Sequence, residues 1–199
     1  MVHIERMKQF DVKKILVIGC PGSGKSTFAR KLRDATGLPL YYLDMLYHRP
    51  DRSTAPREEF DAALAEILAE DEWIIDGNYL RTLPLRLAAC DTVFFFDLPV
   101  EQCLEGAASR VGTVREDLPW VESELDPDFR QYIIDFPNDQ LPAIRARLQD
   151  LSAPAAAGSS SGSNSSPRLV TFTGRHQADE FISALRSGHA MPEIRPVQD

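Results

Sequence analysis

The sequence predicts an α/β fold in which helices cover both faces of a five-stranded parallel sheet, giving three layers. The first observation is that short apolar runs alternate with longer amphipathic stretches along the chain. The second is that the first apolar run ends directly in a glycine-rich loop, which a helical pattern follows. Strands that are joined through helices at this spacing lie parallel and connect by right-handed crossovers.

Five apolar segments are predicted to be the strands of this sheet. The first is uninterrupted over residues 15–18, which is typical of a strand that is buried on both faces. Three of the later segments carry an aspartate at or next to their last residue, where parallel strands finish. The predicted strands cover residues 14–19, 38–44, 73–77, 92–97 and 167–172.

Amphipathic stretches between these segments are predicted to be helices. In the first helix the apolar residues recur at helical spacing, and Gly37 ends the pattern. In the second, Pro56 stands at the first turn, where proline is tolerated. A later helix is expected to be interrupted at Pro137, because proline removes a helical hydrogen bond. The predicted helices cover residues 25–36, 56–70, 80–89, 100–110, 129–149 and 176–187.

The chain of 199 residues is predicted to form one domain. Residues 111–128, which we call the lid segment, contain glycine, prolines and several acids and predict a loop that could close over a site. Residues 153–166 are rich in Ala, Gly and Ser and predict a flexible linker. Too little chain follows this linker for a second core, so the last strand and helix are expected to dock on the same sheet.

The charge balance argues against several classes of partner. The chain has 22 Lys and Arg residues against 30 Asp and Glu residues, a net charge of −8. Because no basic stripe offsets this charge, nucleic-acid binding is disfavoured. No apolar run is long enough for a membrane span, and the charged start of the chain is unlike a signal peptide. The cytoplasm is therefore the expected location.

The cysteines and histidines indicate neither a disulfide framework nor a zinc site. Cys20, Cys90 and Cys103 are odd in number and have no metal-ligand spacing. The four histidines are scattered and form no ligand set. Buried, reduced thiols are the expectation.

One glycine-rich segment carries most of the functional information. Residues 19–26, GCPGSGKS, match the G-x-x-x-x-G-K-[ST] pattern of the P-loop, and the required strand precedes them and the required helix follows. Glycines let the backbone amides surround an anion, and the helix N-terminus adds its positive dipole end. Lys25 is predicted to reach the β- and γ-phosphates, Ser26 to bind Mg²⁺, and Thr27 either to contact the α-phosphate or to lie on the helix surface. The predicted nucleotide-binding residues are Gly19, Pro21, Gly22, Ser23, Gly24, Lys25, Ser26 and Thr27.

Aspartates at three predicted strand ends are candidates for metal binding or base catalysis, since ligands bind beyond the carboxyl ends of such strands. We assign Asp76 to Mg²⁺, because Gly77 after it permits a close backbone approach. We assign Asp44 to the orientation of a substrate hydroxyl or to general-base catalysis. Asp97 has the same pattern, but it could simply end its strand.

Arginines are expected around the transferring phosphate, because charge neutralisation and positioning supply most of the catalysis in phosphoryl transfer. The predicted catalytic arginines are Arg81, Arg110 and Arg115, and Arg130 is a further candidate. Each could instead be a solvated surface charge. Arg115 is favoured because it belongs to the lid segment.

These motifs resemble the small P-loop proteins called DNA topology modulation proteins, which are related to adenylate and shikimate kinases. The resemblance is carried by ILVIGCPGSGKSTFARKL, LPLYYLDMLYHRP, PREEF and DEWIIDGNYLRTLPLRLAACDTVFFFDLP, and it is close over about residues 13–100. It implies the strand order 2-3-1-4-5, an ATP site and phosphoryl transfer to a small acceptor. It also implies that Asp76, Gly77 and Arg81 match the Asp-Gly and the following arginine of adenylate kinases, and that Asp44 matches the strand-two aspartate of shikimate-kinase-like members.

The lid segment departs from this family. Members usually carry an arginine-rich lid with a G-R-x-R-x-D pattern, whereas residues 112–117 read GTVRED. Thr113 takes one arginine position, and six acids lie between Glu116 and Asp128. We therefore expect this segment to repel a triphosphate rather than clamp it.

The leading hypothesis is an ATP-dependent kinase that uses Mg²⁺ and acts on a nucleoside, a nucleotide or a hydroxylated metabolite. The alternative is a nucleotide-binding switch or weak ATPase with a regulatory role related to DNA topology. DNA binding, which only the resemblance suggests, is disfavoured by the charge. The sequence does not decide between ATP and GTP, does not identify the acceptor, and does not distinguish a monomer from a homodimer. Four tyrosines could stack on a base or pack in the core: Tyr41, Tyr42, Tyr47 and Tyr79.

Overall fold

A parallel sheet of five strands lies at the centre of the protein. The computed structural model describes residues 12–152 and 166–187. The strands are β1 (Lys14–Gly19), β2 (Leu40–Tyr42), β3 (Trp73–Asp76), β4 (Thr92–Phe96) and β5 (Arg168–Phe172). Their order is β2-β3-β1-β4-β5, and every neighbouring pair is parallel. The predicted α/β class and strand order are therefore confirmed.

Helices flank this sheet in a three-layer arrangement. No helix in the two described ranges is long and apolar enough to cross a membrane. Apart from its last residue, the predicted linker 153–166 lies outside the described residues. The helices are α1 (Lys25–Thr36), α2 (Leu43–Tyr47), α3 (Arg57–Ala69), α4 (Leu83–Ala89), α5 (Val100–Ala108), α6 (Pro127–Asp139), α7 (Leu141–Ser152) and α8 (Arg175–Ser187).

The second strand is shorter than predicted, and its predicted end at Asp44 is wrong. β2 finishes at Tyr42, and Asp44 lies in the first turn of α2. β2 is an edge strand with half-buried residues, so sheet packing does little to prolong it. Leu43 is fully buried beside Gly77, where an added Cβ would meet it at 2.9 Å, and a carboxylate in the first turn stabilises the new helix.

The predicted interruption at Pro137 is also wrong. Pro137 lies inside the last turn of α6, which continues to Asp139. The backbone N–H of Gln140 still donates to the carbonyl of Phe136 at 3.0 Å, because proline removes only its own donor. The chain then restarts as α7 at Leu141, so the break falls at residue 140.

A cluster of phenylalanine rings packs α1 and α8 on one side of the sheet. The ring of Phe28 in α1 lies 4.8 Å from that of Phe94 in β4 and 5.3 Å from that of Phe172 in β5, both edge-on. Phe181 of α8 contacts Phe94 at 4.9 Å. Each such pair contributes about 0.5–1.5 kcal/mol beyond the area that it buries. The helix that follows the glycine-rich loop is thereby fixed on the sheet.

A buried arginine shapes the chain after β3. The side chain of Arg86 in α4 is fully buried and donates hydrogen bonds to the carbonyls of Gly77 at 2.8 Å, Tyr79 at 3.1 Å and Asn78. Burial lowers the pKa of Arg86 because the charged form is desolvated. Three successive carbonyls therefore turn toward one guanidinium, and this turn places the residues that follow Asp76.

Replacement of Arg86 by methionine is expected to lower the free energy of unfolding by roughly 3 kcal/mol, because three carbonyls lose their donors. Chemical denaturation followed by circular dichroism measures the change. Arg147→Met, at an exposed position of α7, is the matched control and should alter stability by less than about 0.5 kcal/mol. Equal effects of the two substitutions would contradict the role of Arg86.

Candidate active site

The glycine-rich loop lies between β1 and α1, at the carboxyl edge of the sheet. Gly22 and Gly24 have positive φ angles of 80° and 102°, a conformation that favours glycine. An added Cβ at Gly22 would lie 2.0 Å from the carbonyl oxygen of Cys103, so the loop packs directly on α5. Lys25 and Ser26, the first residues of α1, are each 8% exposed. The structure thus provides the strand, loop and helix N-terminus that an anion-binding P-loop requires.

Two side chains from distant elements hold this loop. The side-chain amide of Asn78 binds Gly19 twice, accepting from its N–H and donating to its carbonyl, each at 2.9 Å. Arg175, at the start of α8, donates to the carbonyls of Gly22 at 3.0 Å and Ser23 at 3.3 Å. Sequence analysis missed both residues. Asn78 follows the Asp-Gly pair of β3, a position that could have indicated it, whereas no local pattern marks Arg175.

Cys20 in the loop is not an activated nucleophile. It is buried, and its contact with Cys103 together with desolvation raises the pKa of its thiol. All three cysteines lie within the described residues and are buried and unpaired, as expected.

Asp76 places a carboxylate beside the loop, at the end of β3. It is 4% exposed, and its Oδ1 has no hydrogen-bond partner among the described residues. Burial raises the pKa of Asp76 to about 6, although the Lys25 ammonium and a hydrogen bond with Ser26 act in the opposite direction. A buried carboxylate with an unsatisfied oxygen is a candidate ligand for a cation.

The residues present fit a Mg²⁺ ion bound together with a nucleotide. Mg²⁺ usually keeps several waters and takes one or two carboxylates plus phosphate oxygens. The Ser26 hydroxyl and the unpartnered oxygen of Asp76 would hold it. In residues 12–152 and 166–187, no group of three or more His, Cys, Asp or Glu side chains is arranged to bind a metal unaided.

Two cavities meet at this edge of the sheet. The smaller one, about 410 Å³, lies over the glycine-rich loop and extends to the start of α8. The larger one, about 1060 Å³, lies between the lid segment, α2 and the turn after β3. Both are lined by Lys25, Arg110, Arg115 and Asp117. A phosphoryl group near these four side chains would face both cavities.

The two arginines in this boundary differ in their partners. The Nε of the half-buried Arg110 has no hydrogen-bond partner among the described residues, and burial lowers the pKa of its guanidinium. Arg115 donates to both oxygens of Asp117, at 3.1 and 2.7 Å, and to Glu122 at 2.8 Å. Burial alone would raise the pKa of Asp117, but the hydrogen bonds from Arg115 hold this pKa at about 2. Asp117 therefore stays ionised next to Lys25 and Arg115.

The acids of the lid segment neutralise arginines, which sequence analysis did not foresee. Glu116 accepts from Arg33 of α1 at 2.8 Å, and Asp117 lies 3.6 Å from Arg30 of the same helix. Residues 111–126 contain no helix or strand, and these ion pairs hold the segment against α1. The charges of Glu116, Asp117 and Glu122 are therefore paired with arginines, and the expectation that the six acids repel a triphosphate stays a prediction.

The other predicted charged residues lie farther from the glycine-rich loop. Arg81 lines the larger cavity, and both of its terminal nitrogens bind Asp61, at 2.9 and 2.5 Å. Arg130 is exposed and lines neither cavity. Asp97 accepts from Arg145 at 2.7 Å, in agreement with its alternative assignment as a strand-end acid. The catalytic role of Arg81 stays a prediction.

Asp44 lies in the larger cavity with Lys25. Its Oδ1 accepts a hydrogen bond of 2.9 Å from the hydroxyl of Tyr79. Burial, followed by the nearby Asp44 charge, raises the pKa of Tyr79, so this hydroxyl remains a donor. The tyrosine orients the carboxylate and leaves its second oxygen for a ligand.

A scan against models of protein families returned no match for the chain, and a search of curated proteins found no relative. Among solved structures, the chain is similar to a gluconokinase from Sinorhizobium meliloti 1021, with 17% sequence identity, a TM-score of 0.43, and coverage of 88% of this chain and 90% of that chain. A similarity of that size indicates nothing about activity. The resemblance to topology modulation proteins, the use of ATP and the cytoplasmic location stay predictions.

Asp76→Asn is expected to stabilise the metal-free protein at neutral pH. Because burial raises the pKa of Asp76 from 3.8 to about 6, the folded state loses stability as the pH rises between these values. The substitution removes this titration, so it should raise the free energy of unfolding by roughly 3 kcal/mol at pH 7.5 and by much less at pH 4. Denaturation in chelator-treated buffer at both pH values measures the difference.

Asp97→Asn serves as the control, since it removes the hydrogen bond with Arg145 and should destabilise the protein slightly at both pH values. If Asp76→Asn stabilised the protein equally at pH 4 and pH 7.5, the raised pKa would be refuted.

Proposed function

We propose that the protein is a kinase that transfers the γ-phosphoryl group of ATP to a hydroxyl group of a small molecule. The observation that supports this most directly is the shared boundary of the two cavities, where Lys25, Arg110, Arg115 and Asp117 face both. The smaller cavity contains the glycine-rich loop and suits a nucleotide. The larger one contains Asp44 and suits the acceptor.

The reacting groups have assigned roles in this proposal. Lys25 and the loop amides bind the β- and γ-phosphates, and Arg110 lies beside them with an unpartnered Nε. When bound at Ser26 and Asp76, Mg²⁺ supplies neutralisation of the phosphate charge. A pKa of about 6 leaves Asp76 ionised for this task at neutral pH.

The acceptor side supplies the nucleophile. The acceptor hydroxyl oxygen bonds to the γ-phosphorus, while the bond from that phosphorus to the bridging oxygen of ADP breaks. The hydroxyl proton passes to Asp44, whose other oxygen is held by Tyr79. The products are ADP and the phosphorylated acceptor.

A second candidate is a nucleotide-binding switch or weak ATPase. It is favoured by the hydrogen bonds of Arg115 to Asp117 and Glu122, which engage the arginine of the lid segment. ATP binding with negligible turnover over a broad acceptor panel, together with a partner that binds only one nucleotide state, would support it. Such a result would exclude the kinase.

Lys25→Ala is expected to weaken ATP binding at least about tenfold and to lower acceptor-dependent ADP formation about 10³-fold, because it removes the ammonium at the β- and γ-phosphates. Calorimetry and a coupled ADP assay measure the two effects. Lys13→Ala, at the opposite end of β1 where Lys13 pairs with Glu72, is the matched control and should retain both. Unchanged ATP binding in Lys25→Ala would remove the basis of the nucleotide site.

Asp44→Asn is expected to lower kcat by about 10²- to 10⁴-fold while the affinity for ATP stays unchanged, because the amide cannot take the acceptor proton. Steady-state kinetics and ATP calorimetry separate the two effects. Asp139→Asn, at the exposed end of α6, controls for the loss of one negative charge. A weaker ATP affinity at unchanged kcat would place Asp44 on the nucleotide side instead.

A further inference from the structure

We propose that the acceptor carries a flat aromatic or heteroaromatic ring next to its reactive hydroxyl, and that this ring packs on a row of side-chain rings in the larger cavity. The inference rests on the proposed function, since it names the substrate class of the same site. A nucleoside and a hydroxymethylated heterocycle share this chemistry.

Five aromatic side chains form a continuous row, which we call the aromatic wall. Phe60 stacks on Tyr79 at 5.1 Å between ring centroids. Tyr79 contacts Tyr47 edge-on at 5.4 Å, and Tyr47 contacts His48 at 5.0 Å. His48 in turn contacts Trp120 at 5.2 Å. All five line the larger cavity, although they come from α2 and the residue after it, α3, the turn after β3 and the lid segment.

The aromatic wall is more than a part of the hydrophobic core. Phe60 is 2% exposed, but Tyr47, His48, Tyr79 and Trp120 are only half-buried. Large rings that keep an open side toward a cavity are suited to stacking on a planar ligand. Of the four tyrosines that sequence analysis offered for stacking, Tyr47 and Tyr79 line this cavity.

Tyr79 indicates where the reactive hydroxyl of the acceptor would lie, because it belongs to the aromatic wall and also contacts Asp44. Its ring is part of the aromatic wall, and its hydroxyl donates to Asp44. The proposed base therefore lies beside the wall. A ligand whose ring lies on the wall can present an attached hydroxyl to Asp44 without crossing the cavity.

Trp120 provides a direct test of ring binding. The chain has two tryptophans, and Trp73 is fully buried in β3, so Trp73→Phe leaves Trp120 as the single indole. We would titrate this variant with adenosine, cytidine and pyridoxine, and with ribose and gluconate as compounds that lack an aromatic ring. The ring compounds are expected to quench Trp120 fluorescence with saturation, and the others are not. Thermal shift of the wild-type protein with the same compounds replaces this measurement if Trp73→Phe does not fold.

ADP formation with each compound separates the two proposals. Quenching together with phosphorylation supports both the kinase and the ring-binding class. The compound that reacts then shows whether the acceptor is a nucleoside or another heterocycle. Quenching without ADP formation supports the ring-binding class and overturns the kinase. Phosphorylation of ribose or gluconate, with no response to any ring compound, overturns the ring-binding class and leaves the kinase standing. No response of any kind overturns both.

Substitution of Trp120 provides the kinetic test. Trp120→Leu should raise the KM for the ring acceptor about tenfold while the KM for ATP stays unchanged, and Trp120→Phe should restore most of the loss. A purely structural role of Trp120 would instead lower kcat and stability with no effect confined to the acceptor KM, and it would contradict the proposal.

Discussion

Hydrogen bonds from two distant side chains hold the backbone of the glycine-rich loop, and the remaining features of the site depend on that loop. Asn78 forms hydrogen bonds with the amide and the carbonyl of Gly19, and Arg175 donates to the carbonyls of Gly22 and Ser23. Because the carbonyls of Gly22 and Ser23 are bound to Arg175, they do not oppose an anion at the loop. Because Gly22 also packs against the α5 backbone, Lys25 begins α1 at a position that three separate elements determine.

Buried charge is concentrated at this edge of the sheet. Asp76 and Arg86 are almost fully shielded from water, and Arg110 is half-buried. Desolvation raises the pKa of the aspartate and lowers those of the arginines, so each charge costs stability. The packing of the phenylalanine cluster around Phe28 offsets such costs. Proteins commonly accept destabilising groups where they bind or react.

The parts of the structure that were predictable are those whose information is local. The buried strands, the glycine-rich loop and the position of Lys25 follow from patterns a few residues long. The contacts of Asn78 and Arg175 with the loop span 59 and 153 residues, so no short pattern shows these contacts, although the position of Asn78 after Asp-Gly marks it as a candidate. Asp44 lies in α2 and not at the end of a strand, because β2 ends at Tyr42 and local preference does not show where this strand stops. The pairing of Asp117 with Arg115 could have been predicted, since the two residues are close in sequence.

Tertiary structure also separates tyrosines that look equivalent in the sequence. Tyr41 bonds to Glu70 at the surface, whereas Tyr79 is part of the aromatic wall and orients Asp44. In the proposed reaction, ring binding and proton abstraction therefore share one residue. A ligand whose ring sits poorly on the wall would also misplace its hydroxyl relative to Asp44, and small misplacements slow a reaction strongly. Selectivity between acceptors would then appear in kcat where it acts through Tyr79, which contacts Asp44, and in KM where it acts through Trp120, at the other end of the wall.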